Sequence, residues 1–349
     1  MAYSSITKPS DYFNTKLYTG NGSTQNITGV GFQPDWTWIK NRDRTDYHIL
    51  VDAVRGAPKE MYSNLSNAEY SNSNGLTAFG SDGFSVGSAN DVNYNSSNLA
   101  SWNWKANGSG SANTDGTISS TVSASATSGF SIVKYTGNAT AGATVGHGLG
   151  AVPKMIIVKK TNAAKDWNVY HVGMGATKGM YLNLTNAEQT HTNWNNTTPT
   201  SSVFSIGSDD QVNGSGQTYI AYCFAEKTGY SKFGSYTGNG STDGTFIYTG
   251  FKPAFVLTKS TSNAVNWQIQ DNKTAPTNLM TNKLFANTNA AQDTGSENTV
   301  DFLSNGFKPR GTGSSENING SGYSYIYMAF AAEPLVANSG ANGVPATAR

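Results

Sequence analysis

The tetrapeptide Tyr-Thr-Gly-Asn occurs three times in this chain of 349 residues, and its recurrence constrains the fold more than any other feature. The copies begin at Tyr18, Tyr135 and Tyr236. Each is separated from the next by about the length of one small domain. Repeats of this size are structural units in their own right, so they are recognised before any local motif. The chain is therefore expected to hold one small module written three times.

Each copy of the tetrapeptide opens the same ordered series of landmarks. A phrase ending in proline comes first, an apolar run follows it, and an aromatic run closes the copy. The proline phrases are 31–34, 151–153 and 250–253, the apolar runs are 36–40, 155–159 and 254–259, and the aromatic runs are 102–104, 222–224 and 328–330. Chance does not produce so many ordered matches, so we interpret the copies as descendants of one ancestral module.

The repeats predict three domains with short additional segments. The expected organisation is an N-terminal arm at 1–16, module one at 17–107, a Gly/Ser-rich linker at 108–128, module two at 129–229, module three at 230–335 and a C-terminal tail at 336–349. Gly/Ser-rich composition is typical of flexible linkers. We therefore expect a loose joint between modules one and two, with early protease cleavage, and a packed interface between modules two and three. Residues 118–126 alternate in a manner compatible with a strand, so an ordered linker stays open.

Short β-strand signals dominate every module. The clearest runs, at 130–135, 155–159, 218–224 and 323–330, are rich in β-branched and aromatic residues. Asn-Gly and Asp-Gly pairs between such runs suit tight hairpins. The only helical candidates, 65–70 and 184–190, are one turn long. The sequence therefore predicts an all-β fold of three tandem antiparallel β-sandwich modules, of jelly-roll or lectin-like type.

Composition excludes several classes of protein. Charged residues are 13% of the chain and the net charge is +1, so no field attracts nucleic acid. No apolar run approaches the length of a membrane span, so we expect no membrane insertion. The single cysteine, Cys223, excludes an internal disulfide framework. Residues 1–10 are polar and lack the apolar centre of a secretory signal, so we expect synthesis in a cytoplasm.

Motifs for catalysis or metal binding are not apparent. The four histidines, His48, His147, His171 and His191, show no zinc spacing. Acidic residues near one turn, Asp91 and 209–210, could serve calcium, but turn capping is the favoured interpretation. Two acids recur, Asp46 with Asp166 and Glu69 with Glu188, but module three has Asn266 and Ala291 in the corresponding phrases. We therefore predict no catalytic residue, no metal and no cofactor.

The tryptophans could instead stack on sugar rings. Trp36 and Trp38 share one face of a strand, as do Trp102 and Trp104, and their counterparts in the other modules are ordinary core residues. We favour the core for these four. Trp194 has no counterpart, so it is the predicted surface or ligand contact, together with its neighbours Asn193 and Asn195.

Several phrases resemble a repeat module of virion proteins from tailed phages, especially marine phages. They are 29–40, 51–56, 79–87, 219–238 and 345–349, and the resemblance covers nearly the whole chain. Module three replaces the phrase equivalent to 51–56. The resemblance implies a virion location and no known catalysis, and it transfers no catalytic residue. It does not distinguish a tail from a head location.

Together these observations favour a non-enzymatic structural protein on the exterior of a phage particle. A tail fibre or appendage for host attachment is slightly favoured over a capsid decoration protein. A lectin-like carbohydrate-binding adhesin is the alternative, and a depolymerase with one active module ranks third. The expected partners are other virion proteins, further copies of the chain in a homo-oligomer, and a host-surface glycan or receptor.

Overall fold

A computed structural model of the protein describes residues 4–311, 318–339 and 342–345. Its regular structure consists almost entirely of antiparallel β-strands, so the predicted all-β fold is confirmed. Residues 1–3, 340–341 and 346–349 lie outside the described residues, as do 312–317, so the predicted arm and tail are described only in part.

Module one forms a large and a small sheet. A 3₁₀-helix at Pro9–Asp11 precedes β1 Phe13–Thr19, β2 Gln25–Thr28, β3 Trp36–Asn41, β4 Ile49–Asp52, β5 Lys59–Tyr62, β6 Tyr70–Ser71, β7 Leu76–Gly80, β8 Gly83–Val86, helix α1 Asn90–Asn93 and β9 Asn98–Trp104. The large sheet has the order β1-β9-β3-β4-β5-β6, and the small sheet has the order β2-β8-β7. Strand β1 thus begins within the segment predicted as an arm.

Module two repeats this plan and adds two strands in front of it. The strands are β10 Ser111–Asn113, β11 Ser120–Ser125, β12 Phe130–Thr136, β13 Ala143–Gly146, β14 Pro153–Lys160, β15 Asn168–His171, β16 Lys178–Tyr181, β17 Gln189–Thr190, β18 Val203–Ile206 and β19 Thr218–Ala225. The large sheet has the order β10-β11-β12-β19-β14-β15-β16-β17, and the small sheet pairs β13 with β18.

Module three has the plan of module one, followed by a hairpin. The strands are β20 Ser231–Thr237, β21 Ile247–Tyr248, β22 Phe251–Ser260, β23 Gln268–Asp271, β24 Leu284–Phe285, β25 Val300–Leu303, β26 Gly306–Pro309, β27 Ser324–Pro334, β28 Val336–Ser339 and β29 Asn342–Pro345. The two sheets have the orders β20-β27-β22-β23-β24 and β21-β26-β25, and β28 pairs with β29.

The sequence repeat is therefore also a repeat of topology. In each large sheet the first strand of the module pairs with the last, and the last pairs with the strand after the proline phrase. The pairing registers agree as well: Trp104 pairs with Trp36, Phe224 with Met155 and Phe330 with Phe255. Residues at equal register positions can thus be compared across the three modules.

The recurring tetrapeptide ties the start of each module to the loop before its last strand. In module one the Tyr18 hydroxyl donates to the Val92 carbonyl at 2.7 Å, and the Asn21 N–H donates to Asn93 Oδ1 at 2.8 Å. The same two bonds recur in the other modules: Tyr135 to Val212 and Asn138 to Asn213, then Tyr236 to Ile318 and Asn239 to Asn319. The hydroxyl bond accounts for the tyrosine of the phrase. The asparagine is accounted for by its side chain, because its Oδ1 accepts the backbone N–H two residues later in every module.

The glycine of the phrase is required by the closeness of that loop. A Cβ on Gly20 would lie 2.2 Å from the carbonyl oxygen of Tyr94. The equivalent Cβ on Gly137 or Gly238 would lie 2.5 Å or 2.4 Å from a backbone oxygen. Only glycine allows the two backbones to approach so closely.

One hydrophobic core is shared by all three modules. It combines the inner faces of the large sheets, and Phe330 shows the arrangement: its ring centroid lies 5.7 Å from that of Trp104 and 6.1 Å from that of Phe224. These three residues occupy the same register position in their modules. Each module has a second core between its large and small sheets.

The central strands are consequently buried on both faces. Strand β3 is buried at every residue, and β14 and β22 at nearly every one. A strand covered on both sides has no solvent face, so its sequence does not alternate between apolar and polar residues. This explains why the apolar runs after each proline phrase are continuous. It also confirms the core assignment of Trp36, Trp38, Trp102 and Trp104, which are fully buried.

Two local predictions are wrong. The segment expected to be a flexible linker contains β10 and β11, and β11 pairs with β12 in register from Ser120 opposite Tyr135. It therefore extends the sheet of module two, and modules one and two are joined by the shared core instead of a loose joint.

The helical turns expected at 65–70 and 184–190 are absent, because each segment leads into a short edge strand.

Replacing Phe330 by alanine tests the shared core. The substitution should lower the free energy of unfolding by about 3–5 kcal/mol, the usual cost of deleting a buried aromatic ring. Because the ring contacts modules one and two, all modules should unfold together at lower denaturant concentration, as measured by denaturation followed by both fluorescence and circular dichroism. Loss of module three alone, with the remaining signal unfolding at the wild-type midpoint, would contradict the shared core.

Candidate functional site

The predicted surface contact at Trp194 is wrong. Its side chain is only 2% exposed and packs in the second core of module two, with its ring 5.8 Å from that of Tyr170. Asn193 is also buried and donates to Asn168 Oδ1 at 2.6 Å, while Asn195 is half-buried. The loop folds inward because the indole fills the space between the two sheets of module two. The sequence did not predict this position, because Trp194 has no counterpart in the other modules that could be compared with it.

Three of the four histidines and the cysteine are buried inside the protein. His48, His147 and His171 are fully buried, and burial lowers the pKa of His171 to about 4. Cys223 is buried, which raises the pKa of its thiol. Within the described ranges, no three His, Cys, Asp or Glu side chains are grouped as metal ligands, and no helix is long and apolar enough to cross a membrane.

The acids considered for calcium are used by backbone groups and a lysine. Asp91 accepts the N–H of Tyr47 at 2.8 Å. Asp209 accepts the N–H of Gln211 at 2.7 Å, and Asp210 forms an ion pair with Lys160 at 2.7 Å. The favoured interpretation, turn capping, thus accounts for Asp209 directly, whereas Asp91 holds the backbone of a distant loop and Asp210 pairs with a lysine.

A first set of hydrogen bonds joins the modules at equal positions. The Trp167 indole N–H of module two donates to the Tyr62 carbonyl of module one at 2.8 Å. The equivalent indole in module three, Trp267, donates to the Tyr181 carbonyl of module two at 2.9 Å. In module one the position is His48, whose ring faces the Phe285 carbonyl of module three, although its Nε2 makes no hydrogen bond of good geometry.

A second set joins the modules across the shared core. The Tyr222 hydroxyl of module two donates to Asp52 Oδ2 of module one at 2.8 Å. The Trp102 indole of module one donates to Asp271 Oδ2 of module three at 3.2 Å. Asp52 and Asp271 share a register position with His171, which contacts the Tyr327 carbonyl of module three at 3.1 Å. Each pair of modules therefore has one such contact.

Both sets run in one direction around the molecule. In the first set, module two contacts module one, module three contacts module two, and module one faces module three. The second set of contacts links the same three pairs of modules. Repeated contacts that return to their starting module define a cyclic arrangement. The three modules are thus arranged around an approximate threefold axis that lies near Trp104, Phe224 and Phe330.

The recurring glutamate also belongs to these interfaces, and its alignment in module three needs correction. The backbone N–H of Glu69 donates to the Thr161 carbonyl, and that of Glu188 donates to the Thr261 carbonyl. The corresponding N–H in module three is that of Gln292, which donates to Arg42, so the matching residue is Gln292 and not Ala291. The position serves module joining in each copy.

The electrostatics of the two buried aspartates differ. Asp52 is fully buried and forms an ion pair with Arg55 at 2.5 Å. Burial alone would lower the pKa of Arg55, but Asp52 raises it above its usual value. Asp271 accepts hydrogen bonds from Trp102 and Thr274, and burial raises its pKa. No ion pair of Asp271 is recorded among the described residues.

A buried lysine recurs at the end of the central strand of each module. Lys40, Lys159 and Lys259 are 0% exposed, and each Nζ donates to the carbonyl of the next residue at 2.6, 2.7 and 2.8 Å. Burial lowers their pKa values to about 8, 7 and 7. A lysine with a low pKa can act as a nucleophile, but these amines are inaccessible to a substrate. Their role is to satisfy carbonyl groups of the turn that follows.

An exposed aromatic pair in module three is the surface feature that sequence reasoning missed. Phe246 is 44% exposed and Tyr248 is 57% exposed, on either side of the inward-facing Ile247. Tyr248 borders a groove of about 220 Å³ that is also lined by Glu226, Lys232 and Leu335. The signal was available in the repeats, because module one has Asn26 and Thr28 at the same register positions. This groove is the candidate functional site.

Comparison with known proteins places the whole repeat array in one family. Residues 8–334 match the family described as a domain of unknown function, DUF7483, and the chain belongs to that family. No curated protein and no solved structure matches it significantly. The match spans all three modules as one domain, which agrees with their shared core.

Exchanging each buried aspartate for asparagine tests the electrostatic difference. Asp52→Asn removes the partner of a buried guanidinium and should lower the free energy of unfolding by about 3–5 kcal/mol. Asp271→Asn leaves no buried cation unpaired and keeps one acceptor oxygen for the backbone N–H groups of Lys273 and Thr274, so it should lose less than half as much although the bond from Trp102 is lost. Chemical denaturation of both variants measures the difference. Equal losses would show that the Asp52–Arg55 pair is not specially important.

The buried lysines predict a stability that depends on pH. Their folded pKa values lie below the unfolded value, so between pH 7 and 10 the unfolded chain binds more protons and stability rises with pH. The slope is up to about 1.4 kcal/mol per pH unit for each lysine. Lys159→Met should flatten the rise in the free energy of unfolding, as measured by urea denaturation at several pH values. An unchanged profile would refute the assignment to this amine.

Proposed function

We propose that the chain is a non-enzymatic structural protein on the exterior of a bacteriophage particle. In this proposal it forms part of a tail fibre or appendage that attaches the particle to its host. The phrases at 29–40 and 219–238, which resemble virion repeat modules, support the location. A surface that is rich in hydroxyl and amide groups and poor in charge supports an exterior position.

The main observation in support of the proposal is that the polar residues repeated in the three modules form hydrogen bonds within the protein. Catalytic residues must contact a substrate, but the polar groups kept in all three modules bond inside the protein. The buried lysines donate to carbonyls, and Asn93, Asn213 and Asn319 each hold the first turn of their module. Repetition of these groups therefore maintains a scaffold, and a rigid scaffold with several lobes suits attachment or assembly.

A capsid decoration protein is the second candidate, and the cyclic arrangement favours it. Three similar lobes around one axis present similar surfaces in three directions. Such a shape can engage three equivalent sites of a symmetric particle at once, which increases avidity without any stronger single contact. Other virion proteins and further copies of the chain are the proposed partners in both cases.

Antibody labelling of purified phage particles tests the proposal. Gold-labelled antibody against this chain should decorate tails or their appendages in negative-stain micrographs, and preimmune serum should not. Labelling distributed over heads would transfer the proposal to capsid decoration. Particles that remain unlabelled, although the same antibody detects the chain in the infected-cell lysate, would contradict a virion location.

A further inference from the structure

The aromatic pair of module three is not required by the fold. Phe246 and Tyr248 lie on the outward face of the small sheet, where the other modules have Asn26 and Thr28 or Thr144 and Gly146. Those modules form the same sheet pairing with small or polar side chains. The repeat thus supplies an internal comparison: module three exposes two large rings at positions where its relatives within the chain expose none.

Contacts within the protein cover only part of the surface of these two side chains. A Cβ on Gly306 would lie 3.1 Å from Cε2 of Phe246, and a Cβ on Gly250 would lie 3.6 Å from the hydroxyl of Tyr248. The rings therefore lean over glycines, which can stabilise a sheet. Gly83 of module one occupies the position of Gly306 and lies opposite Thr28 without an aromatic cover. The two residues nevertheless remain about half exposed, at 44% for Phe246 and 57% for Tyr248.

The adjacent groove combines an aromatic side with polar walls. Tyr248 and Leu335 supply apolar surface, while Glu226 and Lys232 form an ion pair at 2.7 Å. Thr228 and Thr249 line the same space. Polar and apolar surface contribute nearly equally to the groove, so it is more polar than a usual small-molecule site. The volume of about 220 Å³ is below that of typical sites, so the groove suits a single ring-sized unit.

The charge of the groove restricts the class of ligand. The carboxylate of Glu226 and the ammonium of Lys232 neutralise each other, so the groove offers no net attraction for an anion or a cation. A neutral ligand with an apolar face and a hydroxylated edge matches both features. Its C–H face would pack on the ring of Tyr248, which lines the groove, and its hydroxyls would reach the paired charges.

We propose that Phe246, Tyr248 and the groove beside them bind one unit of a neutral carbohydrate. The inference deepens the proposed attachment function and rests on it for the biological source of the glycan. It replaces Trp194 as the site of carbohydrate contact. A docked second copy of this chain is the competing occupant, and the test distinguishes the two.

The decisive variant takes its residues from module one. Phe246→Asn combined with Tyr248→Thr gives module three the side chains that module one has at these positions, so folding should be retained. Val172→Asn is the matched control, because it removes another exposed apolar side chain and introduces the residue that module three has there, Asn272. Thermal unfolding of all three full-length proteins checks that stability is equal.

Binding is measured on an array of neutral and anionic oligosaccharides, and then by titration with the neutral oligosaccharide that gives the strongest signal. Wild type and Val172→Asn should bind neutral glucose-, galactose-, mannose- or N-acetylglucosamine-containing glycans. The double variant should lose affinity by about tenfold or more, which corresponds to the loss of a substantial contact. Undiminished binding in the double variant, binding to anionic glycans alone, or no binding by the wild type would overturn the inference.

Two further outcomes separate the inference from the function on which it rests. If sedimentation shows a wild-type dimer that the double variant loses, with no glycan binding, the surface joins copies of the chain and the inference is wrong. If antibody labels the particle but no glycan binds, the exterior location stands and the inference fails. Glycan binding by a chain that does not label particles would uphold the inference and refute the proposed location.

Discussion

Aromatic packing between the three large sheets is the interaction on which the rest of the structure depends. Trp104, Phe224 and Phe330 come from different modules, yet they meet in one core because they share a register position. The inner face of each large sheet is apolar, so exposing it to water would be energetically unfavourable. A separated module would expose that face, so the modules stabilise one another, and the unit of folding is the array of three.

The same constraint explains the polar groups between modules. A buried hydrogen-bonding group without a partner costs about 1–3 kcal/mol, which favours interface groups that find partners in the neighbouring module. Trp167 and Trp267 meet carbonyls of the preceding module, and Tyr222 meets Asp52. These bonds recur around the axis because the sequence repeats. Positions that take no part in joining the modules can differ between the copies, and the outward face of the small sheet of module three is one such place.

The sequence predicts those features that can be obtained by comparing equivalent positions in its three copies. The counterparts of the tryptophans at 36, 38, 102 and 104 are ordinary core residues, which predicts that these tryptophans are buried. Runs such as 218–224 predict the strands. Trp194 could not be placed that way, since it has no counterpart. The segment 108–128 reads as a linker by composition, but pairing with β12 decides its structure, and pairing depends on distant residues. The cyclic arrangement is likewise a property of contacts between modules, and no local pattern encodes it.

Differential scanning calorimetry of the full-length chain tests the shared core most directly. Two-state unfolding requires that the calorimetric and van't Hoff enthalpies agree. One cooperative unit of three modules predicts a single transition in which the two enthalpies are nearly equal. Separate transitions, or a calorimetric enthalpy about three times the van't Hoff value, would show that the modules fold independently and would contradict the account.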